Sequence, residues 1–351
     1  MRNTTPGRRA ESSAAPQVLD TLHRPMRDLR ISVTDHCNFR CVYCMPKAVF
    51  GTRYHFVGHD GLLRFEEIER LARQFAALGV TKIRLTGGEP LLRPHLEDLV
   101  GRLSAIEGIS DLALTTNAST LTRQKAEALH AAGLRRINVS LDALNEDVFQ
   151  RMNDVGFPAA RVLQAIDDAA ASGLSVKINM VVRRGLNDQE IVPMAGRFRG
   201  SGHVLRYIEY MDVGNLNGWK LEEVVPMREI LALVGAQWPL EPVSPERYGE
   251  VATRYRFVDG QGEIGVISSI SQPFCGSCTR ARLSPEGQLF TCLFGTQGHD
   301  LRALVRGGAS DEEIYARLAD IWRLRDDRYS ELRTAGTPKA GQKVEMFHIG
   351  G

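Results

Sequence analysis

Polar and apolar positions along the chain follow two periods in turn. Runs with alternating or continuous apolar character at 29–34, 82–86, 111–116, 136–141, 175–181 and 204–211 predict β-strands. Between them apolar residues recur every three or four positions, which predicts helices over 65–78, 96–106, 123–132, 159–171 and 188–198. Gly79, Gly133 and Gly173 stand where a helix needs a left-handed terminal residue. Repeating strand–helix units of roughly 25–35 residues imply parallel strands joined by helical crossovers. Six such units predict an α/β fold, an incomplete TIM-like (βα)6 barrel with its chemistry at the C-terminal strand ends.

Strand parity sharpens the picture. Ile83 and Leu85, Leu112 and Leu114, Ile137, Val139 and Leu141, and Val176 and Ile178 form apolar faces suited to helices. The opposite parity carries Arg30, Arg84, Thr86, Thr115, Asn117, Asn138, Ser140, Lys177 and Asn179, followed by Glu209 and Met211. A barrel packed for stability alone fills its inward positions with branched apolar residues. Parallel crossovers cover both faces of a sheet, so these polar positions predict a ligand-holding interior.

Beyond Met211 the alternation stops. A Gly/Asn-rich loop at 212–219 precedes a predicted helix near 227–234, and Asp259-Gly260-Gln261-Gly262 predicts a hairpin between strands at 251–258 and 263–269. A further helix is predicted at 311–323. The expected organisation is a mobile N-terminal tail (1–25), a barrel (26–225) and a C-terminal region (226–351) that closes it.

Composition narrows the function classes. The chain has 351 residues and a formal net charge of +2, too small to predict a nucleic-acid or membrane surface from bulk charge. No apolar run is long enough to span a bilayer, and the first 25 residues lack the apolar core of a secretory signal. All six cysteines fall into two groups of three: Cys37, Cys41 and Cys44, then Cys275, Cys278 and Cys292. Such grouping reads as metal ligation in a reducing compartment, the cytoplasm.

The first group has the spacing C-x3-C-x2-C. Three thiolates leave one iron of a 4Fe–4S cluster without a protein ligand, an open position for a small molecule. A structural zinc site would want a fourth closed ligand. With Tyr43 before the last cysteine, the run resembles the radical S-adenosylmethionine (SAM) superfamily motif. Thr86-Gly87-Gly88-Glu89-Pro90, directly after the second strand, resembles that superfamily's GGE motif, in which Glu89 would meet the amino group of SAM. The second group, C-x2-C-x13-C, reads as another open cluster, or as zinc with His299 as fourth ligand. Arg30, Arg84, Lys177, Arg280 and Arg282 would converge on one cavity, and buried guanidiniums call for an anion such as a nucleoside triphosphate.

At larger scale the chain resembles the GTP 3′,8-cyclase family, enzymes that open molybdenum cofactor biosynthesis. The resemblance is carried by LRISVTDHCNFRCVYCMP, KIRLTGGEPLLR, LTTN, RRINVSLDAL, RYIEYMDVGN, FCGSCTRARLS, CLF, RDDRYSE and the terminal Gly-Gly. It implies that Cys37, Cys41 and Cys44 hold the SAM cluster and that Tyr43, Gly88, Ser140 and Met211 contact SAM. Cys275, Cys278 and Cys292 would hold a second 4Fe–4S cluster that binds guanine. Arg30, Arg84, Thr115, Lys177 and the Arg280-Ala281-Arg282 segment would contact GTP. A 5′-deoxyadenosyl radical would take the 3′ hydrogen of GTP, and the ribose radical would attack C8. The implied partners are a flavodoxin- or ferredoxin-type electron donor, a cyclic pyranopterin monophosphate synthase that receives the product, and a second copy in a homodimer; neither nucleic acid nor membrane is expected. Two rivals are a radical-SAM enzyme acting on a peptide and an iron–sulfur or zinc nucleic-acid binder. Two positions depart from the family pattern: His36 stands where arginine is common, and Ala118 where glycine is. A positive φ at 118 would strain alanine.

Overall fold

The computed structural model describes residues 17–51, 53–333 and 343–351. Six strands, β1 (Asp28–Ser32), β2 (Lys82–Thr86), β3 (Asp111–Thr116), β4 (Arg136–Ser140), β5 (Ser175–Val182) and β6 (Val204–Glu209), pair in sequence order, all parallel. Their crossovers carry α1 (Phe65–Ala77), α2 (Leu96–Ser104), α3 (Arg123–Ala131), α4 (Glu146–Asn153), α5 (Ala159–Ala171) and α6 (Ile191–Phe198). Helix α4 was not foreseen; Asn145 caps it by accepting a hydrogen bond from Val148 N at 3.1 Å.

The C-terminal region lengthens the sheet at both edges. Helix α7 (Met227–Gly235) leads to β7 (Leu240–Val243), β8 (Thr253–Phe257) and β9 (Glu263–Ile267), and β9 joins β6 in parallel. Strand β10 (Arg280–Leu283) pairs in parallel with β1, followed outward by β11 (Gln288–Phe290) and β12 (His299–Asp300). The result is a twelve-stranded sheet, β12-β11-β10-β1-β2-β3-β4-β5-β6-β9-β8-β7. Loops rather than strands cross between its flanks: Tyr248, between β7 and β8, donates its hydroxyl to the Gly276 carbonyl at 3.2 Å.

Outward-facing Leu29, Ile31, Ile83, Leu85, Leu112, Leu114, Ile137, Val139, Val176 and Ile178 join the helices in one core. Each such side chain contributes about 1.5–3 kcal/mol by leaving water. Helix α8 (Asp311–Arg323) adds Ile314, Leu318 and Trp322 to that core.

Two expectations need correction. Residues 1–16 of the expected tail lie outside the described residues, but 17–25 are built into the fold. Val18, Asp20 and Arg24 are buried, Arg24 Nε donates to Asp20 Oδ2 at 2.6 Å, and Trp322 Nε1 donates to the Arg24 carbonyl at 2.9 Å. An internal ion pair supplied what an Arg- and Ser-rich composition does not advertise. The second correction concerns parity on β6. Lys177 pairs with Val204 and Asn179 with Arg206, so Val204, Arg206 and Ile208 face inward. Glu209 faces the helices and is fully buried there, accepting from Met227 N and from Ile270 N and Ser271 N.

Candidate functional site

A single cavity runs the length of the inward face, and both cysteine groups line it. Their places follow from topology. Cys37, Cys41 and Cys44 come after β1, at the C-terminal ends of β1–β6. Cys275 and Cys278 precede β10, whose Arg280 pairs with Asp28 at the opposite strand ends, and Cys292 follows β11 on the same side. The groups therefore stand at opposite ends of one chamber. Chemistry confined to the C-terminal strand ends, the sequence expectation, covers only half of it.

At the first group the loop after β2 wraps around residues 34–36. Gly88 N donates to the Thr34 carbonyl at 2.8 Å and Glu89 N to the His36 carbonyl at 2.7 Å. Phe39 N donates to Cys37 Sγ at 3.4 Å, and Asn117 Nδ2 donates to the same sulfur at 3.8 Å. Burial, with Glu89 nearby, pushes the Cys37 thiol up to about 12, and burial raises Cys41 and Cys44 too. These thiols become thiolates only when a metal takes the proton's place. Tyr43 donates its hydroxyl to Asp142 Oδ2 at 2.9 Å, and both line the cavity with Gly88, Ser140 and Met211. Met211 gets there because β6 ends at Glu209 and the chain turns inward, not by strand parity.

Glu89 does not line the cavity. Its carboxylate is enclosed, accepting from Thr116 Oγ1 at 2.6 Å, Asn117 N at 2.7 Å and Leu91 N at 3.0 Å. Burial lifts it to about 7 despite these donors. It ties the β2 loop to the end of β3. The same turn contains Ala118 in the left-handed region, φ 57°, with its N–H on Thr116 Oγ1 at 2.9 Å. The left-handed cost, roughly 1–2 kcal/mol, is offset by the chain freedom and buried methyl that glycine would forgo, each up to about 1 kcal/mol. Ala118→Gly is therefore expected to shift stability by no more than about 1 kcal/mol, whereas β-branched Ala118→Val should lower the thermal midpoint by several degrees.

Between the cysteine groups the chamber is cationic. Arg30, Arg84, Lys177, Arg206, Arg280 and Arg282 line it, and Arg30 and Arg84 are only 7% exposed. Burial and neighbouring guanidiniums press Arg206 down to about 9, Arg282 to about 10 and Lys177 to about 8. Among the described residues the Nε atoms of Arg30, Arg84 and Arg206 find no acceptor. Asp28 is one acid beside them, with Asp111 and Glu250 nearer Lys177: Lys82, Arg84 and Arg30 outweigh the burial of Asp28 and hold its carboxyl well below the usual range. The arrangement wants an anion. Thr115 lines the same stretch, but Ala281, paired with Leu29, turns its methyl into the core, so only its backbone can address the chamber. Sequence reasoning overlooked Lys82, which shares the parity of Arg84, and Arg206, masked by counting β6 from Met211.

At the second group, Arg280 Nη2 and Arg325 Nη2 donate to Cys278 Sγ at 3.1 and 3.2 Å. Although burial opposes it, these cations bring the Cys278 thiol down to about 6, while burial and Asp327 raise Cys292 to about 12. His299 is exposed on edge strand β12 and does not line the cavity. Among the described residues no three His, Cys, Asp or Glu side chains converge as a single ion requires. Gly351 also lines the chamber of its own chain, and Arg282 Nη1 donates to the Gly350 carbonyl.

Comparison with known proteins places the chain. The Radical SAM superfamily matches residues 31–197, and Molybdenum Cofactor Synthesis C matches 203–331. The GTP 3′,8-cyclase of Acidothermus cellulolyticus is 49% identical over 95% of this chain and 99% of its own, and that of Staphylococcus saprophyticus 48% identical over the same shares. Among solved structures, Streptococcus suis SuiB bound to S-adenosylmethionine shares the fold, with a TM-score of 0.61, 15% identity and coverage of 88% of this chain and 68% of that one. The chain thus belongs to the GTP 3′,8-cyclase family of radical-SAM proteins.

Proposed function

We propose that the chamber is the active site of a GTP 3′,8-cyclase, with SAM at the first cysteine group and GTP between it and the second. One observation carries this reading: two sets of three cysteines stand at opposite ends of a cavity lined by buried, under-neutralised cations. The donor sets suit 4Fe–4S clusters, whose ligands sit on separate corners, better than a single ion, towards which they do not converge. Cys37, Cys41 and Cys44 would hold one cluster, and Cys275, Cys278 and Cys292 the other. When bound, the first cluster would supply the electron that cleaves SAM to methionine and the 5′-deoxyadenosyl radical; that radical would take the 3′ hydrogen of GTP, the ribose radical would add to C8, and one further electron and a proton would give (8S)-3′,8-cyclo-7,8-dihydro-GTP.

The chain's own residues bind and orient. Gly87 and Gly88 bring bare backbone to the cavity wall beside Cys37, and Tyr43, Ser140 and Met211 complete a half-polar pocket for SAM. Arg30, Arg84, Lys177, Arg206, Arg280 and Arg282 take the triphosphate, with Thr115 beside them. This grip on the remote part of the substrate fixes the ribose for hydrogen abstraction. Met346 and Phe347, just before Gly351, line the chamber and help to exclude water and radical quenchers.

No helix among the described residues is long and apolar enough to cross a membrane. The enzyme would work in the reducing cytoplasm, as a homodimer drawing electrons from a flavodoxin- or ferredoxin-type donor and passing its labile product to a cyclic pyranopterin monophosphate synthase. Anaerobic reconstitution tests the core of this reading. Two clusters predict about eight irons per chain, and SAM with reductant should give 5′-deoxyadenosine together with a cyclised nucleotide only when GTP is present. Zinc incorporation without SAM cleavage, or turnover that needs a peptide, would overturn it.

A further inference from the structure

The segment 325–331, RDDRYSE, is not used by the reading above to hold SAM or GTP, yet its first residue is deeply enclosed. The Arg325 side chain is 1% exposed. Its Nη2 donates to Cys278 Sγ at 3.2 Å, its Nη1 to the Cys278 carbonyl at 2.9 Å and to Asp20 Oδ2 at 3.0 Å, and its Nε to the Thr291 carbonyl at 3.1 Å, next to Cys292. Its guanidinium carbon lies 4.6 Å from the centre of the Trp322 ring. Arg24, also fully buried, shares Asp20 Oδ2 at 2.6 Å and donates to the Cys275 carbonyl at 2.7 Å and the Asp327 carbonyl at 2.8 Å. Two guanidiniums thus touch the chain at Cys275, at Cys278 and beside Cys292, and one carboxylate braces both.

The charges fit an anion. Arg24, Arg325 and Arg280 stand against Asp20 and against Asp327, whose Oδ2 lies 3.3 Å from Arg325 Nε and whose side chain is 27% exposed. A positive surplus remains beside the sulfurs. An iron–sulfur core on three thiolates is itself an anion, and both hydrogen bonds to ligand sulfur and net local charge set the potential of such clusters.

We infer that Arg325, braced by Asp20 and Arg24, is a positioning residue for the second cluster: it holds the three cysteine segments together and raises the cluster's reduction potential through Cys278. This rests on the reading that Cys275, Cys278 and Cys292 hold an iron–sulfur cluster. The network also explains why residues 17–25 are fixed to the fold: Asp20 and Arg24 belong to the cluster's surroundings.

The test compares wild type, Arg325→Gln and Arg325→Lys as full-length, anaerobically reconstituted protein. One readout is the rate at which a chelator removes iron; the other is the midpoint potential of the reduced-cluster electron paramagnetic resonance signal that SAM does not perturb. Arg325→Gln should lose second-cluster iron ~10-fold faster or more, and its SAM-insensitive signal should titrate at lower potential. Its SAM-responsive signal should match wild type, which shows that the fold survives. Arg325→Lys keeps the charge without the fork, so it should release iron quickly at a potential nearer to wild type. If Arg325→Gln loses both signals, the lysine variant decides on the same two readouts. Wild-type iron release and potential in the variants would overturn the inference. A wild-type protein with about four irons and only the SAM-responsive signal would instead remove the reading beneath it, and the inference with it.

Discussion

Arg282→Ala is expected to abolish GTP cyclisation while leaving both clusters assembled. Arg282 is 3% exposed on β10, opposite Arg30, and faces the chamber. Its guanidinium also donates to the Gly350 carbonyl and to the Ile349 carbonyl at 3.4 Å, so it joins the proposed triphosphate site to the C-terminal segment. Removing a preorganised cation from a water-poor site costs ~10²-fold or more in turnover. Arg282→Lys should recover part of it, because charge is kept and the bidentate fork is lost. Arg280→Ala should behave differently, although the two residues look equivalent in sequence. Arg280 donates to Cys278 Sγ at 3.1 Å and lies over the Phe274 ring at 4.8 Å. Its loss should cost second-cluster iron as well as turnover. Product analysis with an iron assay distinguishes them; wild-type turnover by the Arg282 variant would remove that residue from the substrate site.

Gly88→Ala should eliminate SAM binding and disturb the first cluster. A Cβ there would collide with the His36 carbonyl oxygen, with the His36 carbonyl carbon at 2.5 Å and with Asp35 O at 2.6 Å. All three are backbone atoms, so no flexible side chain can give way, and His36 directly precedes Cys37. Overpacking of this kind costs about 1–3 kcal/mol or more, and any relaxation moves the loop carrying the cysteines. Gly101→Ala is the matched control. Gly101 lies within α2, nothing stands within 4 Å of its would-be Cβ, and alanine should stabilise the helix by roughly 0.5–1 kcal/mol. Equilibrium SAM binding and iron content of the two variants check the contrast; normal SAM affinity in Gly88→Ala would show that this backbone approach is dispensable.

Strand parity read from residues 82–86, 111–116 and 136–141 agrees with the register across β2, β3 and β4, because a parallel sheet with covered faces leaves its inward residues no other place. It failed on β6, where the strand ends at Glu209 and a turn delivers Met211 to the chamber. Glu209 accordingly went to the wrong side and Arg206 was missed. Glu89 shows what sequence leaves out in a different way. A carboxylate after a Gly-Gly pair looks like a ligand group, and only the folded chain shows that it also braces the loop through Thr116, Asn117 and Leu91.

The repeating strand–helix order, the two cysteine triads and much of the cationic lining were legible before folding, since each follows from local periodicity, spacing or residue type. Whatever depends on distant segments emerged only on folding. Folding set the cysteine groups at opposite ends of one cavity by docking β10 against β1, and it seated Gly351 in its own chain's chamber. It also joined Asp20, Arg24 and Arg325, some three hundred positions apart, around Cys278. Long-range pairs of this kind leave no periodic trace, because their energy comes from burying charges together, and which charges meet is settled only when the sheet forms.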